Sequence, residues 1–299
     1  MKKIIVLVLI PLIALVTGGC DNDDEIVYVS DPPPQSPQGV FSVTGDGQVT
    51  IGWLGLWEDD IVEYVVGWND ALLGEYEEVG RVPADPRDTE TNLYWFVDTD
   101  VDNGTTYFYS VWAVDEAGQV SRPSYEAVFD TPRPQGQVEL YSRFASPVQA
   151  GFDLSQSAVV PWDATTADVF IDHIEIADGD STLVVLYLNT ANPATDIQDK
   201  GYTDDFDDVD WAPVEGWSDL QYYEVIPGHT YVIWTADYHY AKMRVSYVSR
   251  DTRLVAFEWA YQVADTTNEL GNRELMPPPP ESEVDPEHVT AEQVDRTSR

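Results

Sequence analysis

Residues 96–124, FVDTDVDNGTTYFYSVWAVDEAGQVSRPS, contain the pattern that decides the fold. Tyr107, Tyr109, Val111 and Ala113 occupy every second position in the middle of this stretch. Successive side chains of a β-strand point to opposite faces, so the alternation predicts a strand with one apolar face. Asp, Asn, Gly and Pro residues, which favour turns, flank the strand on both sides. The stretch therefore predicts one long strand between two turns.

The same alternation recurs in two segments upstream, QVTIGWL and VEYVVGW. Their apolar faces consist of Val49, Ile51 and Trp53 in the first segment and of Tyr64, Val66 and Trp68 in the second. Short strands of this kind, separated by turns, are typical of β-sandwiches. The chain also has 10 Trp, 17 Tyr and 9 Phe, a composition that favours β-structure.

This first block resembles a fibronectin type III domain, and residues 96–124 are similar to its E–F corner, F strand and F–G turn. Tyr107 stands at the position of the tyrosine corner, whose hydroxyl group is expected to hydrogen-bond to backbone groups upstream. Trp53 matches the core tryptophan of the second strand, and Pro132 follows the last strand. The resemblance implies such a domain over residues 38–132. The sequence has no Arg-Gly-Asp tripeptide, so integrin-type adhesion is not implied.

Asp98, Asp100 and Asp102 form a D-x-D-x-D motif like the opening of a calcium-binding loop. Such a loop requires glycine at its sixth position and an acidic residue at its twelfth. Asn103 and Tyr109 occupy these positions here, and the second of them lies in a predicted strand. The motif is therefore expected to form a turn.

A second block, residues 138–265, contains further strand-like segments. VELYSRF, ADVFIDHIEIA and STLVVLYL precede a long predicted loop at residues 190–224. TYVIWTA, YAKMRVSYVS and RLVAFEWAYQV follow it, and their short connections predict an antiparallel meander. The sequence thus predicts an all-β protein, with an N-terminal fibronectin type III (immunoglobulin-like) sandwich and a second antiparallel β-sandwich or barrel-like domain.

The hairpin at residues 229–245, HTYVIWTADYHYAKMRV, has its predicted turn at residues 236–239. In its second strand, we expect Ala241, Met243 and Val245 to point inward and Lys242, Arg244 and Ser246 to point outward. The first strand is apolar on both faces. The face that carries Trp234 must therefore be covered by another layer or line a pocket.

The pattern of this hairpin and of the following VAFEWAYQ resembles the C-terminal part of the HmuY-like lipoproteins. Tyr240, Ala241 and Lys242 match that family, whereas Trp234 stands where the family more often has a charged residue. The resemblance implies an all-β, exported bacterial protein. Several members of the family scavenge haem, so haem is the ligand that the resemblance implies.

No axial-ligand motif of that family can be placed on this sequence, so the candidates follow from chemistry. Haem iron binds a neutral imidazole or a thioether inside an apolar slot. The candidate ligand-binding residues are His229, Trp234, Tyr238, His239 and Met243, with His173 as a further histidine. The alternative is that each histidine is an ordinary turn or surface residue.

The predicted loop at 190–224 supplies two further alternatives. Its DDFDDVDW run contains Asp204, Asp205, Asp207, Asp208 and Asp210. These oxygens could bind calcium, but the run has no glycine-defined loop geometry and a solvated acidic loop is the competing interpretation. Trp211 and Trp217 flank the same loop. Exposed aromatic rings would stack on sugars, whereas buried ones would only fill the interior.

The N-terminus indicates export and lipid attachment. Lys2 and Lys3 precede an apolar run too short to serve comfortably as a membrane span, and Cys20 follows in a lipobox-like context, with Thr17 where leucine is usual. Residues 1–19 are thus predicted as a lipoprotein signal peptide and Cys20 as the acylated residue that anchors the protein to a membrane. An ordinary secretory signal is the alternative.

Low-complexity segments are predicted at both ends of the mature chain. Residues 20–37 are expected to form an acidic, proline-rich tether, and residues 266–299 a disordered tail. We expect a location at the cell envelope, on the outer membrane or cell surface. Asp21 leaves the inner membrane as the alternative, because some bacteria retain lipoproteins with aspartate at that position.

Composition excludes several functions. The net charge is −39, from 54 Asp and Glu against 15 Lys and Arg, and it would repel nucleic acids. This acidity fits either a saline habitat or calcium binding. Because Cys20 is the single cysteine, disulfides and cysteine-ligated zinc are excluded. No catalytic motif is present, and we expect no enzyme activity.

The sequence therefore predicts a lipid-anchored envelope protein that binds or scavenges a ligand without catalysis. Haem is the first candidate ligand and calcium a weaker one. The alternative function is a carbohydrate-binding, adhesion or structural surface module, which would bind glycans.

Overall fold

The computed structural model describes residues 32–84, 92–126, 128–264 and 267–271. The predicted signal peptide, Cys20, most of the predicted tether and most of the predicted tail lie outside these ranges. Within the described ranges, no helix has the length and apolar character needed to cross a membrane. The described residues from Pro33 onward belong to one compact unit.

The described residues confirm the all-β fold class. The strands are β1 (Gln38–Thr44), β2 (Val49–Leu54), β3 (Ile61–Asn69), β4 (Glu77–Pro83), β5 (Leu93–Asp98), β6 (Tyr107–Asp115), β7 (Val128–Asp130), β8 (Gln135–Tyr141), β9 (Gly151–Asp153), β10 (Ala158–Val160), β11 (Val169–Asp178), β12 (Ser181–Thr190), β13 (Asp196–Tyr202), β14 (Tyr222–Glu224), β15 (His229–Trp234), β16 (Tyr240–Ser249) and β17 (Leu254–Tyr261). Short 3-10 helices occupy Pro147–Gln149 and Phe206–Asp208.

Strands β1 to β7 form the first sandwich, in which a sheet of order β1-β2-β5 faces a sheet of order β4-β3-β6-β7. The alternating residues predicted to share one face are buried between the sheets, with Trp68 partly exposed. The tyrosine corner is confirmed, because the backbone N–H of Asp102 donates to the Tyr107 hydroxyl at 2.9 Å. The local alternation was sufficient to identify these faces.

The acidic D-x-D-x-D motif forms a turn, as predicted. Asp98 lies at the end of β5 and is buried. One of its carboxylate oxygens accepts from the backbone N–H of Asp100 at 3.1 Å, and the other accepts from the Tyr109 hydroxyl at 3.1 Å. Its oxygens therefore serve the turn and the strand behind it.

The second sandwich packs a sheet of order β10-β9-β11-β12-β14 against one of order β13-β15-β16-β17-β8. The predicted antiparallel meander is confirmed as β15, β16 and β17. Met243 and Val245 point into the core between the sheets, as expected. Phe257 and Trp259 of β17 lie beside them in the same core.

The prediction of one long loop at residues 190–224 is wrong. Strand β13 pairs antiparallel with β15, with Ile197 opposite Ile233, and β14 pairs with β12. The sequence of β13, DIQDKGY, has a single large apolar residue, and that residue, Ile197, is fully buried. A polar edge strand of this kind carries too weak an alternation to be recognised from sequence.

The expectation that Lys242 points outward to solvent is also wrong, because its side chain is fully buried. The alternation itself holds, since Lys242 lies on the face opposite Met243, but the segment around the second 3-10 helix covers that face. The Lys242 ammonium donates to the carbonyl oxygens of Phe206 at 2.8 Å and Val209 at 3.2 Å. It also lies 3.5 Å from the Asp207 carboxylate.

The two sandwiches meet at a buried polar junction, formed by Asp130, Thr131, Arg133 and Glu269. The Thr131 hydroxyl donates to Glu269 at 2.8 Å, and the side chains of Asp130, Arg133 and Glu269 are fully buried. Phe129 of the first sandwich packs against a ring of the second, that of Trp211, with the centroids 6.4 Å apart. The junction therefore joins the sandwiches through both charge and apolar contact.

Two predicted low-complexity segments contribute to the fold where they are described. Glu269 and Leu270, from the predicted tail at 266–299, are fully buried. At the other end, Ser36 of the predicted tether at 20–37 is buried, and the carbonyl of Pro37 accepts from the backbone N–H of Tyr125 at 3.3 Å. Composition alone did not indicate these contacts.

Candidate functional site

The predicted ligand residues of the hairpin do not converge on one point. His229 begins β15 and Trp234 ends it, whereas His239 lies in the turn that follows. Five strand steps of about 3.4 Å separate His229 from Trp234 by roughly 17 Å. His229 and His239 are therefore at opposite ends of the hairpin, and they cannot bind opposite sides of one haem iron in this arrangement.

Both histidines of the hairpin take part in local contacts. The Nδ1 atom of His229 lies 2.9 Å from the Asp199 carboxylate, and the ring of Tyr202 meets the imidazole edge-on at 4.3 Å. The backbone N–H of His239 donates to the Thr235 hydroxyl at 3.2 Å, and its imidazole packs 5.4 Å from the ring of Tyr261. These contacts match the alternative that the histidines have structural roles.

The other predicted ligand residues differ in exposure. Met243 is fully buried in the sandwich core, and the ring nitrogen Nδ1 of His173 lies 2.6 Å from the Ser142 hydroxyl. Trp234 stacks on Tyr240 at 5.5 Å, and its ring packs at a tilt against that of Trp217 at 6.0 Å. Trp234 is thus part of a covered layer, as one of the two sequence interpretations required, and neither it nor Trp217 is an exposed platform.

The acidic run at 204–210 organises its own backbone. Asp205 and Asp208 form a capping box around the second 3-10 helix, and Asp207 faces Lys242. Among the described residues, no group of three or more His, Cys, Asp or Glu side chains has an arrangement that could hold a metal ion. Asp205, Asp207 and Asp208 therefore have identified roles within the fold.

Tyr238 is the predicted site residue that reaches solvent, with 76% of its side chain exposed. Its backbone has a φ of 71°, a left-handed conformation that tyrosine rarely adopts. The turn is held by the backbone N–H of Tyr238, which donates to the Thr235 carbonyl at 2.9 Å, and by the Thr235 hydroxyl, which donates to the Asp237 carboxylate. A fixed turn thus presents an exposed ring next to Asp237.

Asp237 lines a cavity of about 360 Å³ at this end of the second sandwich, which we call the hairpin-tip pocket. Its three carboxylates come from Asp153, Asp168 and Asp237, and its neutral polar side chains from Ser155, Gln156, Thr165, Thr166 and Asn192. The pocket therefore combines hydrogen-bond acceptors with hydroxyl and amide groups that can also donate.

The carboxylates of Asp153 and Asp168 are fixed on one side only. One oxygen of Asp153 accepts from the Ser155 hydroxyl at 2.8 Å and from the backbone N–H of Gln156 at 3.0 Å. One oxygen of Asp168 accepts from the backbone N–H of Leu154 at 2.8 Å. Within the described part of the chain, the second oxygen of each has no such bond and is not sealed from solvent. Each can therefore accept a bond from a ligand.

Burial raises the pKa of Asp168 to about 7, and the nearby charges of Asp237 and Asp153 raise it further, against the bond from Leu154 that lowers it. Near neutral pH this carboxyl group exists in both forms. The protonated form can donate a hydrogen bond and the ionised form can accept one. A pocket in which Asp168 is partly protonated suits a neutral ligand with many hydroxyl groups better than a pocket with three ionised carboxylates would.

Replacing Asp168 by asparagine is expected to change how stability depends on pH. Because the carboxyl group has a higher pKa in the folded chain than in the unfolded chain, wild-type stability from this site falls as the pH rises through about 7. Asp168→Asn removes that loss while still accepting from Leu154. Urea denaturation should show the variant gaining stability relative to wild type between about pH 5 and pH 8.5. The exposed Asp163→Asn variant is the control, and an equal gain there would contradict the assignment.

Sequence reasoning identified the turn of this pocket but not its other walls. Asp153 and Asp168 lie far from Asp237 along the chain, the first at the end of β9 and the second directly before β11. The only sequence signal of each is an aspartate next to apolar strand residues. This pattern is common where strands meet turns, so it does not mark a site. The pairing of β9 with β11 brings the two together, and only the packing of the sheets adds Asp237.

No protein-family model matches the chain. Over 139 residues, the chain is 28% identical to part of an amylopullulanase from Thermoanaerobacterium thermosulfurigenes, which covers 46% of this chain and 6% of that protein. The chain therefore spans only a small part of the length of the curated relative that it matches.

Fibronectin type III-like folds are among the solved structures that are similar to this chain. A Fn3-like protein from Clostridium thermocellum is 21% identical, with a TM-score of 0.26, over 35% of this chain and 100% of that one. The chicken CNTN1 FN1-FN3 domains are 13% identical, with a TM-score of 0.31, over 81% of this chain and 69% of that one. The resemblance to HmuY-like lipoproteins and the lipid attachment of Cys20 stay predictions.

Proposed function

We propose that this protein is a non-enzymatic carbohydrate-binding module, and that the hairpin-tip pocket binds a glycan. The observation that carries the proposal is a cavity whose polar groups are carboxylates, hydroxyls and amides, beside the exposed ring of Tyr238. Neighbouring hydroxyl groups of a sugar can each donate to a carboxylate oxygen and accept from an amide or hydroxyl. The pocket supplies both kinds of partner.

Tyr238 would contribute the apolar part of recognition. One face of a pyranose ring carries C–H groups, and aromatic side chains bury such surfaces well because they are large and stiff. The turn already holds the backbone of Tyr238 in place, so binding would cost little additional backbone entropy. A glycan that lies over the turn could therefore contact the ring and Asp237 together.

The similarity to part of an amylopullulanase makes α-glucans the first ligands to test, since that protein is named for amylose-type polysaccharides and pullulan. Haem receives no support from the geometry, because the candidate iron ligands lie in separate places and Met243 is fully buried. Calcium likewise has no cluster of ligands within the described ranges.

We further propose that the module works outside the cytoplasm, anchored to a membrane of the cell envelope through Cys20. This part rests on the lipobox-like sequence at the N-terminus. A net charge of −39 fits a partner that is neutral, as many storage and wall glycans are, and opposes binding to nucleic acids.

Affinity electrophoresis in native gels that contain soluble starch or pullulan would test the proposal. We expect the polysaccharide to retard the wild-type chain and the Tyr238→Asn variant to bind about ten-fold or more weakly, the loss typical of an aromatic anchor. Asparagine is chosen because it tolerates the left-handed backbone of this position. Tyr247→Asn, at a residue 57% exposed elsewhere on the sheet, is the matched control.

The two variants separate a binding role from a general surface effect. Equal retardation of wild type and Tyr238→Asn would remove the hairpin-tip pocket from the proposal. Failure of every polysaccharide to retard the wild-type chain would overturn the proposed function itself.

A further inference from the structure

Trp57 is the most exposed tryptophan among the described residues, with 80% of its side chain in solvent. It lies in the connection between β2 and β3 of the first sandwich. Within the described part of the chain its indole ring has no aromatic partner, whereas Trp53, four residues earlier, is fully buried against Tyr64 and Tyr94. The core of the first sandwich therefore does not account for Trp57.

A groove of about 450 Å³ runs beside this indole ring. Gln35, Gln38 and Glu58 provide its polar side chains, and the chain from Leu54 to Leu56 forms its apolar floor. Amide groups can both donate and accept, and the carboxylate accepts. The groove thus places an exposed aromatic ring next to groups that can hydrogen-bond to hydroxyls. A simple apolar patch would have no such hydrogen-bonding groups.

The backbone that carries Trp57 is held firmly. The N–H of Gly55 donates to the Asn92 carbonyl at 2.8 Å, and the side-chain amide of Asn92 donates back to the Gly55 carbonyl at 2.7 Å. The N–H of Leu56 donates to the Tyr64 hydroxyl at 2.7 Å. A fixed backbone reduces the entropy lost on binding, so the segment that carries the exposed ring is preorganised.

The other wall of the groove is also tied to this segment. The backbone N–H of Gln35 donates to the Glu58 carboxylate at 3.2 Å, which joins the chain before β1 to the connection after β2. Gly55 has no room for a side chain, because a Cβ atom there would lie 2.5 Å from the Tyr94 ring. Glycine at this position lets the floor lie close against the core.

We infer that this groove, defined by Gln35, Gln38, Trp57 and Glu58, is a second glycan-binding site, with the indole of Trp57 stacking on a neutral sugar ring. The ligand class rests on the proposed function of the hairpin-tip pocket, but the site stands on its own residues. Both sites belong to the compact unit that begins at Pro33. A polysaccharide with repeated sugar units could contact both, and such two-point binding strengthens retention without any new contact.

The same affinity electrophoresis, applied to the complete chain, tests this inference. The high negative charge drives the protein through the gel, and retardation by starch or pullulan reports binding. We expect Trp57→Ala to weaken binding about ten-fold or more and Trp57→Phe to lose less, because phenylalanine keeps a stacking face. Leu73→Ala, at a residue 83% exposed outside the groove, is the matched control and should bind as wild type does.

Four outcomes are distinguishable. Loss in Trp57→Ala together with loss in Tyr238→Asn supports both sites, and loss in Trp57→Ala alone supports this groove while removing the hairpin-tip pocket. If the polysaccharide retards Trp57→Ala as strongly as wild type but retards Tyr238→Asn less, this inference is overturned and the proposed function stays in place. A wild-type chain that no polysaccharide retards overturns both. Thermal unfolding at wild-type temperature confirms that each variant is folded.

Discussion

Replacing Arg133 by alanine is expected to lower the free energy of unfolding by about 3–5 kcal/mol, the usual cost of removing one partner from a buried group of charges. Arg133 is fully buried at the junction between the sandwiches, near the carboxyl groups of Asp130 and Glu269. Its removal leaves these two carboxyl groups without the nearby cation that favours their ionised forms. The junction should therefore weaken more than a surface change would.

In the wild-type chain, burial already disfavours the ionised carboxyl groups of the junction. Burial raises the pKa of Glu269 to about 8, and the charge of Asp130 adds to this, while the bond from Thr131 and the charge of Arg133 lower it. Without Arg133 the pKa of Glu269 should rise further. Because a raised carboxyl pKa gives stability that is lost as the pH increases through it, the variant should lose more stability at about pH 9 than at about pH 6.

Urea denaturation of the complete chain at these two pH values measures the effect. Arg81→Ala is the matched control, since Arg81 makes exposed ion pairs with Glu63 and Glu78, and solvent screens such pairs so that they contribute little to stability. A second variant, Arg133→Met with Glu269→Gln, removes the buried cation together with one of its two carboxyl partners and should recover part of the loss. An Arg133→Ala chain as stable as Arg81→Ala would contradict the role of the junction.

Replacing Lys242 by methionine is expected to cost about 2–4 kcal/mol of unfolding free energy at about pH 9, where the folded chain holds this amine uncharged. Methionine retains most of the buried stem, but the carbonyl oxygens of Phe206 and Val209 lose their donor. A buried hydrogen bond contributes about 0.5–1.5 kcal/mol, and an unpaired buried carbonyl adds a desolvation cost of about 1–3 kcal/mol. The contact of the Lys242 Nζ atom with the Phe206 ring, 4.2 Å from its centroid, is lost as well.

The cost of Lys242→Met relative to wild type, like that of Arg133→Ala, should be larger at about pH 9 than at about pH 6. Burial, and then the charge of Arg133, lower the pKa of Lys242 to about 7, although Asp207 and Asp210 oppose the shift. Between this value and the ordinary pKa of lysine, the unfolded chain binds the additional proton, so wild-type stability from this site rises with pH. Lys242→Met removes that rise.

Lys200→Met provides the control for the second prediction, because Lys200 is exposed. Its unfolding free energy should stay within about 0.5 kcal/mol of wild type, as is usual for surface substitutions. If Lys242→Met were equally mild, the segment over Lys242 would contribute little to stability and its burial would be incidental.

Much of the first sandwich could be predicted because its signals are local. Alternation along the chain showed which side of each strand is apolar, and the Tyr107 corner lies within five residues of its partner, Asp102. The meander of the second sandwich followed from short connections in the same way. Strand β13 escaped prediction, because an edge strand with one buried apolar residue, Ile197, has almost no alternation to detect.

The candidate site could be predicted only in part. The turn with Asp237 and Tyr238 was visible, since turn residues and a short connection mark it in the sequence. The residues that looked chemically distinctive, His229 and His239, have contacts within the fold instead. Asp153, by contrast, carries no local signal and joins the site through the packing of the sheets.

By itself, the sequence determined the all-β class, the faces of the main strands and the tyrosine corner, because each depends on residues close together along the chain. Only the tertiary structure decided what covers each face. Lys242 obeys the alternation and is nevertheless buried, because a distant segment packs over it. The hairpin-tip pocket and the junction at Arg133 arise in the same way, from contacts between residues far apart in sequence, which no local pattern encodes.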